Sequence, residues 1–108
     1  RNSAARRTDL APLLARGVEL VEGDLLTPAS LDAAVAGVSA VISAVGNQDE
    51  LIYTGQLNLL HAAERHGVSR FIPSDFSVDY RQLALGDNFN LDMRKRFLPH
   101  LEASSVPY

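Results

Sequence analysis

The stretch "GVELVEGDLLTPASLDAAVAGVSAVISAVG", residues 17–46, limits the possible folds more than any other part of the chain. An apolar run, Val18 to Val21, ends in Gly23-Asp24, and a second, Ala40 to Val45, ends in Gly46. Between them Thr27-Pro28 is a helix start, because a threonine oxygen can accept an orphan amide and proline is pre-set for the first helical position. Gly37 supplies the stop. The second run has small residues among Val41, Ile42 and Val45, the pattern of a strand covered on both faces. Strand, helix and strand in about thirty residues predict a parallel pair with a crossover. No phosphate-binding glycine loop stands ahead of this unit.

The flanks continue the alternation. Ser3 to Arg16 carries apolar residues at Ala4, Ala5, Leu10, Leu13 and Leu14 before Gly17, predicting a helix with a left-handed glycine stop. Gln48 or Asp49 to His66 has a broad apolar stripe through Leu51, Ile52, Leu59, Leu60 and Ala63, and stops at Gly67. Arg70 to Pro73 is a third short strand, and Asn90 to Ala103 a last helix in which Pro99 should kink or reset the hydrogen bonding. At 108 residues and a net charge of −3, the chain amounts to at most one domain and has no positive surface for nucleic acid or an anionic membrane. Its longest apolar run, near Val38 to Val45, falls far short of the roughly 20 residues a spanning helix needs. It lacks cysteine, which rules out disulfides and fits a reducing, cytoplasmic setting.

With these elements placed, the motifs "GVELVEGDL", "SAVISAVG", "LNLLHAAERHGVSRFIPSDF" and "LEASSVPY" resemble the NmrA-like, isoflavone-reductase-like family of atypical short-chain dehydrogenases over essentially the whole chain. The most specific piece is "RFIPSDF", similar to the family's Arg-Phe-x-Pro-Ser-Glu-Phe, with Asp75 where the family has Glu. The resemblance implies an α/β, Rossmann-like doubly wound parallel sheet, of which strands three to five and their helices are present. Residues 1–108 are then expected to be part of one NAD(P)-binding Rossmann domain, truncated at both ends, with the glycine loop and first strand upstream of Arg1. In the strand order 3-2-1-4-5-6, Val18 to Val21 would lack its neighbours and the strand at Ala40 would have an open inner edge.

Ligands of open α/β sheets bind at the carboxyl ends of the strands. After the first strand come Asp24, able to accept from an adenine amino group, and Leu25, able to pack on the ring; a turn or helix-capping carboxylate is the competing role for Asp24. After the second come Ala44, Val45 and Gly46, where backbone can approach a ribose or pyrophosphate, or which form a plain turn. After the third come Ser74, Asp75 and Phe76, placed by the resemblance near the nicotinamide, with a proline turn as the alternative. Arg1 and Asn2 fall where a Rossmann protein's second strand ends. Arginine there, with no acid before Asp9, favours the 2′-phosphate of NADP.

For catalysis there is no Tyr-x-x-x-Lys. The reductase branch of the family uses a lysine in the last helix, and counting back from Pro107-Tyr108 that position falls on Arg94, which stays protonated. Lys95, the next residue and about 100° round the helix, is the candidate catalytic group; a solvated basic run, Arg94-Lys95-Arg96, is the competing reading. His61 and His66 lie on different helix faces with no acidic partners at metal-ligand spacing, so no metal site is expected. The resulting expectation is an NADPH-dependent reductase of a small organic substrate. The alternative is a non-catalytic NADP(H) sensor that regulates through a protein partner, without direct contact to nucleic acid or membrane.

Overall fold

The computed structural model describes residues 10–46 and 48–108. Its centre is a parallel pair of strands, β1 (Ala40–Ile42) and β2 (Arg70–Ile72), in register Ala40 to Arg70, Val41 to Phe71 and Ile42 to Ile72. The ladder continues past β1, where the Ser43 amide donates to the Ile72 carbonyl at 2.8 Å. On the far side of β2 the Phe71 amide donates to the Pro107 carbonyl at 2.8 Å, so the last residues of the chain lie along that edge.

The helices follow the glycine signals with several corrections. Of the first predicted helix, only the turn α1 (Ala11–Leu14) falls within the described residues, and Gly17 leaves it at φ +85°. Thr27 is not a side-chain cap. Pro28 begins a 3-10 turn, Pro28–Ser30, that leads into the short α2 (Asp32–Val35), and Gly37 ends it at φ +73°. The long helix opens as a π-helix, Leu51–Gly55, continues as α3 (Gln56–Arg65) and stops at Gly67, φ +62°. The last helix, α4 (Phe89–Ala103), runs unbroken through Pro99, held on either side by the buried Phe97 and Leu101. Asn88 caps it, accepting from the amides of Asn90 (3.1 Å) and Leu91 (3.3 Å).

The predicted strand at Val18 to Val21 does not form. A strand is defined by its ladder, and no described residue pairs with this segment; Val18, Leu20 and Val21 stay exposed. Nor is β1 covered on both faces. Val41 is buried while Ile42 is 65% exposed, so apolar patterning marked a face that no described residue covers.

The core lies on the other face. Phe71, fully buried, meets Phe97 of α4 with ring centroids 6.5 Å apart, and Leu60, Ala63, Val68, Leu101 and Val106 close round them. The Arg65 guanidinium and His66 ring join Asp32 at 2.8 and 3.0 Å, tying α3 to α2. The hydrogen bond from Arg65 holds the Asp32 carboxyl below its usual range. This acid is 34 residues from His66 in sequence, so spacing gave no sign of it. No helix among the described residues is long and apolar enough to cross a membrane.

Candidate functional site

The ends of β1 and β2 are joined by one side chain. Ser74 is buried, and its hydroxyl both receives a hydrogen bond from the Val45 amide and donates to the Val45 carbonyl, each at 3.1 Å. The segments 44–46 and 74–76, chosen from sequence as separate strand ends, therefore form one surface. At its rim no described residue comes within 4 Å of where a side chain on Gly46 would project, and the Phe76 ring is 73% exposed. Beneath it the buried Ser43 hydroxyl has no hydrogen-bond partner among the described residues.

Gln56 supports this surface, and the sequence reading missed it. In the π-turn the Gln56 amide passes over the Ile52 carbonyl and donates to Leu51 and Tyr53 instead. A π-turn strands a carbonyl in this way, and such turns recur at functional sites. Here the Gln56 side chain repairs the gap: Nε2 donates to the Ile52 carbonyl at 2.8 Å, while Oε1 accepts from the Ser74 amide at 2.7 Å. Both partners are backbone groups of fixed polarity, so the orientation of the amide is set by its bonds. The available signal was a polar residue on the apolar stripe, four places from both Ile52 and Leu60.

Leu25 approaches the same helix, while Asp24 bonds within its own loop. The Asp24 carboxylate accepts from the Leu26 amide at 2.9 Å, an Asx turn, as the competing reading required. A carboxylate has four lone-pair directions, so this bond does not exhaust it. Leu25 is half-buried, its carbonyl accepts from Asn58 Nδ2 at 2.9 Å, and its side chain lies where a Cβ on Gly55 would come within 3.1 Å. Arg1 and Asn2 lie outside the described residues.

On α4 the neighbouring cations point different ways. Arg94 is 8% exposed; its Nε donates to the Ser74 carbonyl at 3.2 Å and Nη1 to the Asn90 carbonyl at 2.8 Å. Asp75, placed from sequence beside the cofactor, turns inward, with Oδ1 3.6 Å from Arg94 Nε and Oδ2 accepting from the Tyr80 hydroxyl. Lys95 Nζ instead donates to the carbonyls of Arg81, at 3.1 Å, and Leu83.

Two cavities flank Asp75 and Arg94. One, of about 310 Å³, lies between Phe76, Asn90 and Arg94. The other, of about 400 Å³, is walled by Asp75, Val78, Tyr80, Leu98, Glu102 and Tyr108. Asp79 and Arg81 at its edge are paired at 2.7 Å, and that bond drives the Asp79 carboxyl down to about 2, so the two charges cancel at ordinary pH.

Burial, and then the bond to Asp75, push the Tyr80 hydroxyl well above its ordinary value of 10.0. The fold thus favours the neutral phenol. This contribution is complete below pH 10.0 and is lost as pH rises through the folded-state value. Tyr80→Phe is therefore expected to lose less stability than the parent between pH 9 and 11 in urea melts; parallel losses would show that Tyr80 does not carry the effect.

Parallel strands joined through a helix, with their carboxyl ends fused into one exposed surface, define a Rossmann-like α/β unit. The chain belongs to the NmrA-like family, whose pattern matches residues 1–91. It is similar to isoflavone reductase homologue A622 of Nicotiana tabacum, 35% identical over 85% of this chain and 30% of that protein, and to isoflavone reductase homologue IRL of Zea mays, 34% identical with the same coverage. Phenylcoumaran benzylic ether reductase PT1 of Pinus taeda is 31% identical over 99% of this chain. The chain spans about a third of the length of these relatives, 30% to 36%. No solved structure matches it.

Proposed function

We propose that the protein binds NADP(H) across the ends of β1 and β2 and acts as an NADPH-dependent reductase of a small organic molecule. The observation that carries this reading is the Ser74 to Val45 junction, which makes one ligand surface of two strand ends. The residues suit the cofactor: open backbone at Gly46 admits close approach, and the exposed Phe76 ring offers a flat apolar wall. Asp24 retains acceptor capacity for an adenine amino group, and Arg1 and Asn2 supply the chemistry for a 2′-phosphate. Bound NADPH would supply a hydride. The cavity of about 400 Å³ beside Asp75, with Tyr80 and Tyr108 in its wall, has room for an aromatic substrate, and the names of the relatives make an isoflavone the first one to assay.

A second reading has its own support. Counting back from Pro107-Tyr108 puts Arg94 at the family's lysine position, and Arg94 is buried and bonded to backbone carbonyls. A guanidinium held this way cannot shuttle a proton, which favours a sensor of NADP(H) acting through a protein partner. In the full-length protein, calorimetry is expected to show NADPH binding at least about tenfold tighter than NADH, the scale of one charge-assisted bidentate contact. Oxidation of NADPH with an isoflavone supports the reductase, binding without oxidation supports the sensor, and failure to bind either nucleotide removes both readings.

A further inference from the structure

We propose that Lys95 is a positioning residue that fastens the loop from Asp75 to Asn88 and so sets the wall of the larger cavity. Its activity arm rests on the reductase reading above; its structural arm does not. Asp92 and Lys95 are three residues apart on α4 and so share a face, which both direct at this loop. The buried Asp92 carboxylate accepts the Gly86 amide with its two oxygens at 3.0 and 3.2 Å, and Lys95 Nζ donates to the carbonyls of Arg81 and Leu83. An acid thus holds an N–H and an ammonium holds two C=O groups, so each end of the segment 81–86 is bound by a charge of the correct sign. At the Asp92 anchor Gly86 turns at φ +100°.

The held segment is continuous with the cavity wall. Residues Ser77 to Arg81 line the cavity, Tyr80 reaches down to Asp75, and the Leu83 amide donates to the Tyr80 carbonyl at 3.1 Å. Lys95 itself lines neither this cavity nor the one beside Phe76. Its neighbour Arg94, about 100° round the helix, takes the strand-end side. One helix therefore serves two purposes from adjacent residues, Arg94 for the cofactor surface and Lys95 for the loop.

The test compares Lys95→Met, which removes both donors, with Lys95→Arg, which keeps a cation able to reach two carbonyls. Amide hydrogen exchange over residues 80–86 is expected to rise about tenfold or more in Lys95→Met, the scale of a lost charge-assisted hydrogen bond, and to return toward the parent rate in Lys95→Arg. Exchange in β2 stays at the parent rate in both. In NADPH oxidation with an isoflavone, Lys95→Met raises KM for the isoflavone while Lys95→Arg restores it. Parent exchange rates in Lys95→Met, or loss of turnover in Lys95→Arg as complete as in Lys95→Met, would overturn the proposal and return Lys95 to proton transfer. If the parent protein oxidises no NADPH, the reductase reading falls and the exchange comparison still decides the role of Lys95.

Discussion

Replacing Gln56 with alanine is expected to lower the stability of the fold by about 3–5 kcal/mol, because two buried backbone groups lose their partners at once. Gln56 is 1% exposed, and its amide is the shared partner of the Ile52 carbonyl and the Ser74 amide. The Ile52 carbonyl is bypassed by the π-turn, and the Ser74 amide sits at the end of β2 beneath the bond to Val45. Cofactor binding should fall with it, since Ser74 joins the two strand ends. Gln56→Glu separates the contributions. As a carboxylate it still accepts from Ser74 but cannot donate to Ile52, whereas the protonated acid can do both. Burial raises the pKa of such a group above the ordinary value of about 4.3, so the variant is most stable at acid pH and loses stability as pH rises through the raised value. Chemical melts from pH 4 to 8 measure this; a variant whose deficit does not grow with pH would show that the amide bridge is not what holds the site.

Arg94→Met should cost about 2–4 kcal/mol and weaken NADPH binding at least about tenfold. The substitution preserves much of the apolar stem but removes the donor to the Ser74 carbonyl and the extra bond to the Asn90 carbonyl, and takes the cation from beside Asp75. The estimate sits below that for a fully buried pair because the Asp75 side chain keeps 27% of its surface exposed. Arg94→Lys retains the charge without the planar fork, so it should be intermediate in stability. It also places there the residue type that the resemblance expects, and a gain in NADPH oxidation would show that the arginine limits proton transfer at this position. Parent-like melting and affinity in Arg94→Met would remove Arg94 from the support of the site.

The element types were legible because their signals are local. Gly17, Gly37 and Gly67 each sit at positive φ at the end of a helix, as a residue without a Cβ does at low cost. The parallel pairing of the Val41 and Phe71 strands followed from the intervening helix, and "RFIPSDF" placed the turn that carries Ser74. Apolar patterning, though, records which face a residue is suited to and not what covers it. Val18 to Val21 and Ile42 have the composition of buried strand and stand exposed among the described residues.

The sequence by itself determined where β1 and β2 lie and that residues 44–46 and 74–76 stand at their carboxyl ends, because apolar runs mark both strands. It did not determine what those residues do, because that depends on partners distant in the chain. The Ser74 hydroxyl meets backbone 29 residues away, Lys95 meets carbonyls 12 and 14 residues away, and Arg94 meets one 20 residues away. Arg94 and Lys95 are adjacent letters with the same charge, and only the rotation of the helix between a strand end and a loop gives them different work. Gln56 was an unremarked polar letter until tertiary packing set a bypassed carbonyl and a strand-end amide within reach of its two ends.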